Sequence, residues 1–94
     1  MPATDVLHEL VRLRSVLKDL LADIAVGRVR FSEVVALRDD DRTHLYVVKA
    51  LEVVPGVGKV QARRVLDEMG IGEQARIVDL TDQQRLDLAS RVTQ

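Results

Sequence analysis

The sequence predicts an all-α chain, a long N-terminal helix followed by a compact helical module. Three observations carry this. Apolar residues recur at helical spacing in several segments, and helix start and stop signals separate those segments. No stretch makes a convincing strand.

The first helix runs from Thr4 or Asp5, both good N-cap residues, to Ala25, with Gly27 as its stop. Val6, Leu10, Leu13, Val16 or Leu17, Leu20 and Ile24 form one seam, widened by Leu7 and Leu21. That seam suits a helix lying along the chain's own core, or pairing with a second copy. A basic turn, "GRVRF", follows. Ser32 then caps a short helix, and "DDD" at 39–41 reads as a turn whose last members cap the next helix. Three adjacent acids do not converge on one point, so they do not predict a metal site. The next helix is expected over Arg42 to Val54, with Leu45, Val48, Leu51 and Val54 on one face. Pro55 ends it. After the turn "PGVGK" a further helix runs to Gly70, with Val60 and Leu66 expected to face the core. The last helix opens on Thr81 and Gln84, a capping box, and presents Leu86, Leu88 and Val92. The expected organisation is one domain over 1–94: a helix at 1–27, then a module at 28–94 with its hairpin at 54–60.

Composition removes several function classes. The chain has 94 residues and no cysteine, which excludes disulfides and Cys-type zinc sites. No apolar run is long enough to cross a membrane, and the N-terminus does not read as a signal peptide. A cytoplasmic protein is expected. Phe31 and Tyr46 are the aromatic residues, too few for base-stacking platforms. A net charge of −1 places any anion binding in local geometry. His8 and His44 lie on separate segments, and Ser15, Ser32 and Ser90 lack a nucleophile-elbow context. Neither an enzyme nor a cofactor is expected.

The stretch "VVPGVGKVQARRVL", Val53 to Leu66, contains no acid, although acids make up about one residue in six of the chain. Pro55 fixes φ and stops the incoming helix. Gly56 and Gly58 permit φ > 0, and Val57 between them can turn inward. The outgoing helix then starts near Gly58, with unpartnered N–H groups at the positive end of its dipole. Lys59 and Arg63 are spaced i, i+4, Arg64 lies beside them, and Gln61 is left free. This is an anion site. It lacks the spacing of a mononucleotide P-loop and the preceding strand of a dinucleotide fold. A backbone phosphate of nucleic acid suits such a shallow turn.

The run "LEVVPGVGKVQARRVLDEMGI" resembles a helix-hairpin-helix or helix-two-turn-helix element of the actinobacterial integration host factor type. The likeness extends more loosely from "LKDLLADIAVGRVRFSEVV" to about Leu80. It implies a nucleoid-type, DNA-binding protein without catalytic activity or sequence preference. Its partner would be double-stranded DNA, held through Pro55, Gly56, Val57, Gly58 and Lys59, with Gln61, Arg63 and Arg64 alongside. The family also carries an arginine cluster after the next short helix. Here that stretch is "QARIVDL", which retains Arg76 and introduces Asp79. Counting Lys59, Arg63, Arg64 and Arg76, roughly three or four phosphates are neutralised, for a log–log salt slope of about −3 to −4. The rival is a protein- or RNA-interaction module that keeps the hairpin as architecture, with the first helix as its working surface.

Overall fold

The structure, a computed structural model, describes residues 3 to 92. Among the described residues five helices form in order: α1 (Ala3–Ala25), α2 (Phe31–Val34), α3 (Val47–Glu52), α4 (Gly58–Met69) and α5 (Asp82–Arg91). Short 3₁₀ turns at Arg42–His44 and Ile77–Asp79 join them. The all-α expectation holds. Among the described residues the extended pairing is confined to one isolated antiparallel bridge, between Tyr46 and Arg76.

α1 is already helical at Ala3, so Thr4 and Asp5 lie inside it rather than capping it. Gly27, at φ 80°, closes it as expected. The seam divides into two halves. Leu20 and Ile24 are buried, with Leu17 and Leu21 packed against the same core. Val6, Leu7, Leu10 and Val11 are more than half exposed. The helix therefore lies on the core with its C-terminal half and projects beyond it with the other. Where it leaves the core, Arg12 ties it down through a two-point contact with Asp41, at 2.8 and 3.1 Å.

Two local expectations give way to tertiary pairing. Ser32 does not cap α2: the cap position is Arg30, and the buried Phe31 opens the helix. The segment Arg42–Val54 is not one helix. After the 3₁₀ turn, Leu45 and Tyr46 are extended, with ψ near 135°. Val47 N–H donates to the Ala75 carbonyl (2.9 Å), and Ile77 N–H donates to that of Leu45 (3.0 Å). These two bonds replace the helical bonds an unbroken helix would make there. The expected face survives the break: Leu45, Val48, Leu51 and Val54 are all buried. In the acidic run the first member does the capping, since Asp39 Oδ2 accepts from Arg42 N–H at 2.9 Å.

The core gathers Ile24, Phe31, Val34, Val47, Leu51, Leu66, Ile77 and Leu88, each essentially inaccessible to solvent. It is aliphatic around one phenylalanine, as composition required. In α5 Thr81 and Gln84 form the expected capping box, at 3.1 and 2.9 Å. Leu88 and Val92 face inward, whereas Leu86 is 66% exposed. Its place at the core edge goes to Arg85, whose guanidinium donates to the carbonyls of Val35 (2.6 Å), Leu37 (2.8 Å) and Ile77 (3.0 Å). Burial pulls the Arg85 pKa downward, the nearby Arg38 adds to this, and Asp82 opposes it.

Candidate functional site

α3 and α4 pack closely against each other, and the turn between them stands clear of the core. α3 ends on Glu52 with Val53 as its C-cap, and Val54 N–H closes back on the Leu51 carbonyl at 3.1 Å. Val54 is buried and Val57 half-buried, so the turn is pinned at both ends by valines. Between and beyond them Pro55, Gly56, Gly58 and Lys59 are exposed.

The glycines adopt the conformations the motif demands, with φ 87° at Gly56 and 75° at Gly58. An added Cβ would meet nothing within 4 Å at either position. Backbone conformation, rather than space, is what requires glycine here. Among the hairpin amides, Val57 N–H is consumed by the Val54 carbonyl at 3.0 Å, and Pro55 has no N–H. No turn or cap hydrogen bond engages the N–H groups of Gly56, Gly58, Lys59 or Val60. The last three lie at the start of α4, and Gly56 in the turn just before it, where the helix dipole is positive and no acid occupies the first turn. Pro55 and Val57 thus shape the site, while the amides at 56 and 58–60 are open to an anion.

The side chains divide into three groups. Lys59, Gln61 and Arg64 are exposed, and among the described residues no ion pair engages the two cations. Arg63 is engaged: Nε donates to Glu73 Oε1 at 2.9 Å, Nη1 lies 3.2 Å from Glu52 Oε1, and Nη1 also reaches the Lys59 carbonyl at 3.3 Å. Arg76 is itself one partner of the bridge, opposite Tyr46. Its guanidinium sits 5.0 Å above the Tyr46 ring and reaches the hydroxyl at 3.3 Å, a cation–π contact that orients it. Asp79 accepts from the Arg76 backbone N–H at 3.0 Å, which caps the 3₁₀ turn.

Val60 was expected in the core and is instead 75% exposed. Counting from Gly58, the inward positions of α4 are Ala62, Val65 and Leu66, and Val60 falls on the other side of the helix. Ala62 is fully buried, which lets α3 and α4 approach closely. Sequence reasoning missed Arg91. It lines a shallow concavity beside the hairpin with Pro55, Gly56, Val57, Gln61, Val65 and Val92. Its Nη1 meets Glu68 Oε2 at 2.9 Å. Nothing local in the sequence links residue 91 to the hairpin; only the packing of α5 brings it there.

The S13-like H2TH domain family matches residues 28–92. The chain belongs to that family. The matched span begins at the turn after α1 and takes in the hairpin and every later helix. The fold is also similar to the solved structure of sIHF bound to an 8bp palindromic DNA. The TM-score is 0.82 at 24% identity, over 89% of this chain and 97% of that one. The similarity reaches beyond the family domain into α1. No curated protein matches the chain. Among the described residues no helix is long and apolar enough to cross a membrane.

Proposed function

We propose that this chain binds double-stranded DNA through its backbone phosphates, with the α3–α4 hairpin as the contact, as a nucleoid-type architectural protein without catalysis. The observation that carries this is the set of open amides at Gly56, Gly58, Lys59 and Val60, presented on two glycines held at positive φ beside Lys59. Membership of a helix-two-turn-helix family and likeness to a protein solved on DNA support the same reading.

One phosphate sits against the amides at the start of α4. Lys59, on the first turn of that helix, neutralises it or its neighbour. Gln61 donates from the next position, and Arg64 and Arg76 reach flanking phosphates. Backbone contacts carry no base information, so binding is independent of sequence. With Arg63 held internally, Lys59, Arg64 and Arg76 remain, which gives a salt slope of roughly −2 to −3 and about micromolar affinity at moderate salt.

A fluorescence-anisotropy titration of a short random-sequence duplex over a range of salt tests this. Wild type binds at low salt with that slope. Lys59→Ala lowers affinity and makes the slope about one unit shallower. Gly58→Glu abolishes binding while the far-UV circular dichroism stays helical. Tight binding by a folded Gly58→Glu protein removes the hairpin from the proposal. Preference for a duplex RNA of the same length at equal salt replaces DNA as the partner.

A further inference from the structure

We infer that Glu73 and Glu68 set the affinity of the hairpin by holding its two flanking arginines on carboxylates, so that a phosphate must compete for them. This rests on the reading of the hairpin as a phosphate-binding element.

Arg63 follows Lys59 by one helical turn, on the flank of the open amides. Its fork is filled by Glu73 at 2.9 Å, by Glu52 at 3.2 Å and by the Lys59 carbonyl at 3.3 Å. On the opposite flank Arg91 lines the concavity with Pro55 and Gly56, and Glu68 takes its Nη1 at 2.9 Å. A guanidinium presents the same planar donor fork to a carboxylate as to a phosphate. Each glutamate therefore occupies the seat a phosphate oxygen would take, and cancels one positive charge beside the amides. Arg63 Nη1 is 3.3 Å from the Lys59 carbonyl, well inside the Debye length of about 8 Å at physiological salt, and Arg91 shares a concavity with Pro55 and Gly56.

The three glutamates are not equivalent. Glu52 is 8% exposed, is approached by Lys49 as well at 3.7 Å, and belongs to the α3–α4 packing. Glu73 and Glu68 are 58% and 54% exposed, and their arginines 45% and 42%. Half-exposed pairs of this kind contribute little to folding. Their effect falls on the charge next to the site. Arg63, inside the acid-free window, is thus neutralised by Glu52 and Glu73 from outside it, and Arg91, beside the window in space, by Glu68 from the last turn of α4.

The test is Glu73→Gln and Glu68→Gln, each keeping shape and losing charge, titrated with the random-sequence duplex across salt. Each variant is expected to bind about 3- to 10-fold tighter at low salt, and to steepen the slope by up to about one unit as Arg91, or the Nε edge of Arg63 that Glu52 does not hold, turns to a phosphate. Arg63→Ala placed in the Glu73→Gln background should return the slope to the wild-type value. Denaturant midpoints should stay close to wild type. Glu68→Gln tests the second flank independently, should Glu73→Gln fold poorly. Binding by either variant where wild type shows none supports the inference even more strongly. If wild type binds, Lys59→Ala weakens it, and both glutamine variants match wild type in affinity and slope, the inference is overturned while the hairpin reading stands. If neither wild type nor variants bind at low salt, both fall together.

Discussion

Arg85 offers a sharp test of how the frame behind the hairpin is held. Its guanidinium is buried without a contacting carboxylate and donates to the carbonyls of Val35, Leu37 and Ile77 at 2.6, 2.8 and 3.0 Å. These carbonyls belong to the end of α2, the turn after it, and the segment that bridges to Tyr46. One side chain thus joins α5 to both strips of chain that support α3. Arg85→Met keeps the packing volume and removes every donor. Ile77 keeps a bond from the Leu80 N–H at 3.1 Å, so the Val35 and Leu37 carbonyls are the ones orphaned, at about 1–2 kcal/mol each. Relief from burying a charge, together with the apolar side chain, returns about 1 kcal/mol. The expected net loss is about 1–3 kcal/mol, a sizeable part of the roughly 5–10 kcal/mol that a domain of this size possesses. Urea denaturation followed by circular dichroism should show a midpoint lower by roughly 1–3 M, taking m as about 1 kcal/mol/M. Arg85→Lys, with a single point of donation, should fall between. A loss below about 0.5 kcal/mol for Arg85→Met would mean that water reaches the three carbonyls, and that Arg85 does not clamp them.

Other outcomes follow from the same structure. Thr81→Ala removes the capping box of α5 and should cost about 1 kcal/mol, read from the same denaturation curves. Leu10→Ala, on the projecting half of α1, should change stability by less than about 0.5 kcal/mol. Ile24→Ala, fully buried on the same helix, should cost about 2–4 kcal/mol. Acid stability should depend on Asp39, Asp41 and Asp82, whose carboxyls are held below their usual range. For Asp39 the main cause is the Arg42 backbone N–H; for Asp41 and Asp82 it is the hydrogen bonds from Arg12 and Arg38. A pKa lowered by folding stabilises above the unfolded value, near 4, and that contribution is lost as pH falls through the folded value. Thermal melts between pH 5 and pH 2 should therefore decline, and Asp39→Ala should flatten the decline.

Much of the fold was legible because it obeys local rules. Gly27 and Gly70 end their helices, Thr81 and Gln84 start one, and Pro55, Gly56 and Gly58 mark the hairpin at the residues where it forms. What escaped depends on partners distant in the chain. The helix expected over Arg42–Val54 breaks because Leu45 and Val47 bond to Ile77 and Ala75, some thirty residues on. The β-branched and aromatic run "LYVV" was the available hint of extended structure. The projection of α1 escaped because an unbroken seam does not tell where the surface beneath it stops. Val60 was misplaced because a short helix leaves the phase of its apolar face open until Ala62 is recognised as an inward residue. The hairpin itself was legible, but the state of its arginines was not. Arg63 finds Glu52 and Glu73, eleven residues before it and ten after, and Arg91 meets Glu68 only once α5 has docked.

The measurement closest to the central claim is a ¹H–¹⁵N shift map of the protein titrated with a short random-sequence duplex at low salt. A phosphate seated at the start of α4 shifts the amides of Gly56, Gly58, Lys59 and Val60 most, with smaller changes at Arg64 and Arg76. The amide of Val57, already bonded to Val54, should move less than its neighbours. Shifts concentrated on the projecting half of α1, with the hairpin amides unmoved, would contradict the account and make the glycine turn a structural element alone.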